Sequence, residues 1–278
     1  MEFTKMEAAG NDFVVFNGFK YKIENYTSLA LRVCHRHFSV GADGILICEP
    51  SEIADIKMIY YNSDGSEGEM CGNGIRCFAK YVYEEGLVDK ATFTVETLAG
   101  IKTVFLEIEN DGVKTIKVNM GRPVFSAKDI PININNKERV IEETMEVNGQ
   151  RIVFSSLLVG VPHTVIFVDN IDGIDINGLG RKIETHPLFP KKTNVNFVEV
   201  VDRKNINIYT WERGAGRTLG CGTGSCASVV VGKLTGILGN DVHVKTEGGV
   251  LEVHLEENYE IYMKGKANRI CNGVFLNL

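Results

Sequence analysis

The chain has 278 residues, 44% of them hydrophobic and 24% charged, enough for one large or two modest domains with a real core. Thirty Lys and Arg against 36 Asp and Glu leave a net charge of −6, which argues against nucleic acid as a partner and, with this apolar content, against disorder. No run approaches the roughly 18 apolar residues of a membrane span, and Glu2, Glu7 and Asp12 do not suit a secretory signal, so neither membrane nor nucleic acid is expected and the expected location is the cytoplasm.

In chain order, strands are expected over 1–7, 12–17, 44–49 and 53–62, the last running into the turn Asn62-Ser63-Asp64-Gly65. Residues 94–97, 102–108 and 113–120 follow, the last two joined as a hairpin through Asn110-Asp111-Gly112. Later strands are expected over 150–158, 164–168, 196–200, 205–211, 242–246, 250–255 and 259–264, and 205–211 alternates polar and apolar as a half-buried strand should. Helices are expected over 27–38, 74–85 and 224–234, and residues 128–143 read as a polar surface excursion.

Seven cysteines stand at 34, 48, 71, 77, 221, 226 and 271. In a cytosolic setting they are expected as reduced thiols, and their spacings do not make zinc knuckles, so no metal is expected. Two of them expose an internal repeat. Cys71-Gly72-Asn73-Gly74 leads into one helix, and Cys221-Gly222-Thr223-Gly224, 150 residues on, leads into another. The glycines let the backbone turn and present N–H groups at a helix N-terminus, which favours thiolate and binds carboxylate. Two such thiols facing each other suit inversion of a stereocentre beside a carboxylate, where a base works on one face and an acid on the other.

Other readings of the pair are a structural disulfide, buried packing residues, and a Cys–His arrangement using His163 or His186, both beside prolines in expected loops. A dinucleotide loop at Gly222-x-Gly224-x-x-Ala227 would need a strand directly before it, where 213–220 reads as a glycine-rich loop.

Further segments identify a resemblance. Gly10-Asn11-Asp12-Phe13, Asn62 to Glu67 running into Met70 to Cys77, Gly160-Val161-Pro162-His163, Thr193 to Phe197, and Glu212 to Gly216 running into Cys221 to Gly224 resemble the cofactor-independent diaminopimelate epimerases, in order along the whole chain. The resemblance implies an α+β fold of two pseudo-symmetric domains, 1–119 plus 267–278 and 120–266. Each would be a mixed, barrel-like sheet around a central helix, with the active site in the cleft between them. It implies Cys71 and Cys221 as the catalytic pair and no cofactor. Gly72, Asn73, Gly222 and Thr223 would hold the reacting carboxylate, and Asn11, Asn62, Asn194, Glu212 and Arg213 the rest of the substrate. His163 and Glu212 would modulate the cysteine pKa values. Three positions depart from the pattern: Glu7 for histidine, Gly44 for glutamine and Val161 for asparagine. The expected activity is interconversion of LL- and meso-diaminopimelate for lysine and peptidoglycan synthesis. The expected partners are a small-molecule amino acid and a second copy in a homodimer. A racemase of another amino acid such as histidine, and a non-catalytic binding module, are the alternatives.

Overall fold

The computed structural model describes residues 1–110, 112–134 and 137–276. Two compact units emerge, Met1–Asn119 with Lys264–Leu278, and Met120–Met263. The first contains β1 (Glu2–Ala8), β2 (Asn11–Asn17), α1 (Tyr26–Val33), β3 (Gly44–Glu49), β4 (Ile56–Asn62), α2 (Gly72–Glu84), β5 (Thr92–Thr97), β6 (Gly100–Glu109) and β7 (Gly112–Gly121). The second contains β8 (Val140–Val147), β9 (Gln150–Val159), β10 (Val161–Val168), α3 (Ile176–Glu184), β11 (Asn194–Asp202), β12 (Asn205–Glu212), β13 (Gly216–Thr218), α4 (Gly222–Leu234), β14 (Asp241–Thr246) and β15 (Gly249–Leu255), and β16 (Ile261–Gly265) leads out of it. The last strand, β17 (Asn268–Val274), belongs to the first unit.

The units repeat one pairing scheme. In the first, β17–β1 and β1–β2 are antiparallel, β2–β3 parallel, β3–β4 antiparallel, β4–β5 parallel and β5–β6 antiparallel. In the second, β8–β9 and β9–β10 are antiparallel, β10–β11 parallel, β11–β12 antiparallel, β12–β14 parallel and β14–β15 antiparallel. Each parallel step has its crossover helix: α1 and α3 in the first step of each unit, α2 and α4 in the second. The fold is therefore α+β, a mixed sheet around a central helix, twice.

Helices decide which strands read as unbroken apolar runs. In β3, Ile45 and Ile47 join the cluster of Leu29, Ala30 and Val33 on α1, while Leu46 faces Gly74 of α2. A strand covered on both faces loses its alternation. β12 has one buried face, carrying Ile206, Ile208 and Thr210, and keeps the alternation expected of it. In the second unit α3 packs Ile176 and Ile183 against Phe154, Phe189, Val195 and Phe197.

Several expectations need correction. The helix expected over 27–38 starts at Tyr26, capped by Asn25 Oδ1 on the Ser28 N–H at 2.8 Å, and ends at Val33. Beyond it the chain leaves the helical path: Phe38 is 87% exposed, and Arg36 turns to Asp12 and Asp43. The strand expected from residue 53 begins at Ile56, because Ser51 Oγ accepts the Ile53 and Ala54 N–H groups and bends the chain. The supposed surface excursion at 128–143 carries Ile130 and Val140 in the core and starts β8. A bulge between Val140 and Glu143 shifts that strand's phase and hid its alternation. The sequence pattern predicts neither helix α3, whose glycines at 178 and 180 weaken its propensity, nor β17. The expected loop at 213–220 contains β13, and His163 lies on a strand, β10. The hairpin turn expected at Asn110-Asp111-Gly112 includes Asp111, outside the described residues, as are 135 and 136 of the polar segment and 277 and 278 of the C-terminal one. The flanking β6 and β7 pair antiparallel.

Candidate active site

Cys71 and Cys221 occupy the same local position. Each is the N-cap of a 13-residue helix, with extended backbone (φ −133° and −108°), and each sulfur accepts the N–H of the third helical residue, Gly74 or Gly224, at 3.3 Å. N-caps are usually small oxygen-bearing residues; sulfur here does the same work while keeping a titratable proton beside the positive end of the helix dipole. All seven cysteines are free thiols, and among the described residues no cluster of three or more His, Cys, Asp or Glu side chains could hold a metal ion.

Glycine at the third position follows from close approach. A Cβ on Gly224 would lie 2.2 Å from Asn196 Oδ1, so any side chain there would drive the buried amide away. The backbone at Gly72, Asn73 and Gly222 is buried in the first turn of its helix, with Thr223 half-buried.

In the first unit, Cys71 Sγ donates to Asn11 Oδ1 at 3.5 Å. Asn73 Oδ1 accepts from Arg76 Nη2 at 2.8 Å. Arg76 is fully buried and also donates to the carbonyls of Gly72 and Lys266, tying down the first turn of α2. Asn62 stands at the end of β4, half-buried, accepting from the Tyr60 hydroxyl and donating to Ser66. The Tyr60 ring also accounts for Gly44: a Cβ there would meet Tyr60 Cε2 at 2.8 Å and the Tyr61 carbonyl at 2.6 Å. A long side chain cannot stand at position 44 while that ring is in place. Glu7, another departure, accepts from the Gly10 N–H at 3.2 Å and from Asn268 Nδ2 at 2.5 Å, so it serves the backbone that presents Asn11.

The second unit gathers His163, Asn194, Glu212, Arg213, Cys221 and Thr223. His163 and Asn194 are register partners on β10 and β11. Asn194 donates to the Pro162 carbonyl at 2.8 Å and accepts the Arg213 N–H at 2.9 Å. Glu212 accepts from Thr218 Oγ1 at 2.7 Å, and Thr223 Oγ1 lies 3.4 Å from Cys221 Sγ. His186 stays in a loop, its ring nitrogens engaged with the Leu188 N–H and the Glu146 carbonyl, so it is not a partner for a cysteine.

His163 has no exposed surface, and burial, with the nearby Arg213 charge, pushes its pKa down to about 3. It is a neutral imidazole at pH 7. Asn196 Nδ2 approaches its Nδ1 at 3.2 Å and also donates to the Thr164 carbonyl at 3.2 Å, while Asn196 Oδ1 accepts from Thr210. That arrangement leaves the ring proton on Nε2.

A pH dependence follows with a definite sign. The unfolded chain takes up this proton near 6.5, the folded one only near about 3. Stability therefore falls as pH drops below about 6.5, by about 1.4 kcal/mol per unit, and levels off near the folded value. The opposite charges act lower. Burial alone would raise the Asp12 pKa, but hydrogen bonds from Arg36 and Lys5 hold it at about 2, so its contribution is lost only as pH falls from 3.8 toward that value. Urea unfolding of His163→Asn should lack the slope between about pH 6.5 and 4 that the wild type shows; the same slope in both would contradict a buried neutral ring.

Three further residues were not found by reading the sequence: Arg76, Asn196 and Glu184. Glu184 is 5% exposed and accepts from Trp211 Nε1 at 2.7 Å and the Gly214 N–H at 3.1 Å, so it pins the turn that carries Glu212 and Arg213. Burial alone would raise its pKa, but those hydrogen bonds and Lys192 hold it below the usual carboxylate value. Asn196 alternates with Asn194 on one strand, and two asparagines at that spacing are the one local signal that could have marked it.

Comparison with known proteins places these features in a family. The model of the diaminopimelate epimerase family matches residues 3–126 and 155–270. The diaminopimelate epimerase of Alkaliphilus metalliredigens is 45% identical over all of this chain and 98% of its own length. That of Caldanaerobacter subterraneus is 48% identical over 98% of each. Among solved structures, a probable proline racemase from Agrobacterium radiobacter superposes with a TM-score of 0.74 at 16% identity, covering 99% of this chain and 92% of the racemase, a likeness of fold.

Proposed function

Because this chain belongs to the diaminopimelate epimerase family, we infer that it interconverts LL- and meso-diaminopimelate by proton transfer at the α-carbon, with Cys71 and Cys221 as the two acid–base groups. The observation that carries the assignment of the pair is the twinned cap: one thiol per unit, each at a helix N-terminus, each bonded to the same N–H three residues on.

The chemistry balances without a further reagent. A thiolate takes the α-proton, and the electron pair of the broken C–H bond spreads onto the adjacent carboxylate. The thiol on the opposite face delivers its proton to carbon and becomes the thiolate. One proton leaves and one arrives, so turnover in one direction prepares the pair for the other. Backbone N–H groups at Gly72, Asn73, Gly222 and Thr223 are suited to the carboxylate as its negative charge grows. Asn11, Asn62, Asn194, Glu212 and Arg213 hold the remainder of the substrate in this reading. His163, neutral and oriented by Asn196, acts on the cysteine pKa values through its dipole in this reading, and Glu212 through its charge. Cys71 is carried by residues 1–119 plus 267–278 and Cys221 by 120–266. The reading includes a cytoplasmic homodimer that serves lysine and peptidoglycan precursor synthesis and needs no cofactor.

The test is a substrate panel in D2O with chiral analysis of the products. LL-diaminopimelate should give the meso isomer with deuterium at one α-carbon. Far faster racemisation of histidine or another mono-amino acid would overturn the named substrate.

A further inference from the structure

The amide of Asn11 has only one workable orientation. Its Nδ2 donates to Asp43 Oδ2 at 2.6 Å. A carboxylate only accepts, so the nitrogen must face Asp43 and Oδ1 must face away from it, where Cys71 Sγ donates at 3.5 Å. Turning the amide over would set Oδ1 against the carboxylate. Asp43 is itself fixed on every side: Oδ2 also accepts the Asp12 N–H at 3.1 Å, Oδ1 accepts from Arg36 Nη2 at 2.7 Å, and its carbonyl accepts the Ser63 N–H at 2.9 Å.

We propose that Asp43 is a positioning residue for Cys71, acting through the amide of Asn11. It rests on reading Cys71 as a catalytic thiol. The sulfur then accepts the Gly74 N–H and donates to an amide oxygen, a set of partners that suits the protonated form. Cys221 receives the equivalent N–H from Gly224 and also lies 3.4 Å from the Thr223 hydroxyl, which can donate as readily as accept. By holding Asn11 Oδ1 toward the Cys71 sulfur, Asp43 favours the protonated form of Cys71. Asp43 belongs to an ion-pair chain with Arg36, Asp12 and Lys5, Glu7 accepts the Gly10 N–H next to Asn11, and Arg76 donates to the Gly72 carbonyl and Asn73 Oδ1 in the first turn of α2.

The test is alkylation of Cys71 by iodoacetamide near neutral pH, read by peptide mass spectrometry with Cys221 as the internal reference. Asp43→Ala frees the amide and should raise the Cys71 rate about fivefold without changing that of Cys221. Asn11→Ala removes the acceptor and should do the same, and the double variant should exceed neither single one. Equal Cys71 rates in wild type and Asp43→Ala, or two effects that multiply, would overturn the proposal. Should Asp43→Ala fail to fold by thermal melting, Arg36→Ala, at an exposed side chain, loosens Asp43 in its place. It must then raise the Cys71 rate, and an unchanged rate overturns the proposal. Alkylation needs no turnover, so a protein that shows this pattern yet fails to epimerise diaminopimelate would keep the role of Asp43 and lose the function proposed above.

Discussion

Cys71→Ser and Cys221→Ser should each lower epimerisation by about a thousandfold or more while leaving the helices capped. A serine hydroxyl at the N-cap accepts the N–H of Gly74 or Gly224 at least as well as sulfur does, so these variants should melt no lower than the wild type. The hydroxyl cannot serve as a base near pH 7, and proton transfer stops. Alanine at the same positions should lose the chemistry and also cost about 1 kcal/mol of cap energy. The comparison separates the two roles of each cysteine: melting temperatures report the cap, and conversion of LL- to meso-diaminopimelate reports the acid–base step. Near-normal turnover by either serine variant would end the two-thiol mechanism. Substitution of Cys34 or Cys48, buried in the core of the first unit, should instead change stability and spare the chemistry.

Arg213→Ala should cut turnover of LL-diaminopimelate by about a hundredfold, on the order of 3 kcal/mol. The backbone of this residue is held by Asn194 Oδ1, and Glu184 holds the next residue, Gly214, at 3.1 Å. Its side chain is exposed and donates to the Lys191 carbonyl at 3.4 Å. A planar fork on a pinned backbone is suited to a second carboxylate, which diaminopimelate has and histidine lacks. Because the side chain is exposed, the substitution should leave unfolding free energy nearly unchanged. Arg213→Lys, which keeps the charge and loses the fork, should fall between alanine and wild type. A substrate whose far carboxylate is converted to an amide should be turned over poorly by the wild type and lose little more in Arg213→Ala. Equal losses on both substrates would assign the arginine another task.

The two cysteine caps were legible because their structure is local. A cysteine followed by Gly-x-Gly needs only the third residue's N–H to close the cap, and the repeat of that signal 150 residues on marks a duplicated unit. Alternation in β12 and the unbroken apolar run of β3 were equally readable, since each reports how many faces are covered. What the tertiary structure alone decided is where polar groups find partners distant in the chain. Helix α1 stops at Val33 because Arg36 is drawn to Asp12 and Asp43. The strand β8 is hidden by a bulge that only its pairing with β9 reveals. His163, beside a proline, reads as a loop residue, yet β9 and β11 on either side bury it as a neutral ring. Arg76, Glu184, Asn196 and Asp43 take their roles from residues up to 190 positions away. No short-range pattern encodes a buried polar group's partner, because leaving the interior unsatisfied costs the same wherever along the chain the partner comes from.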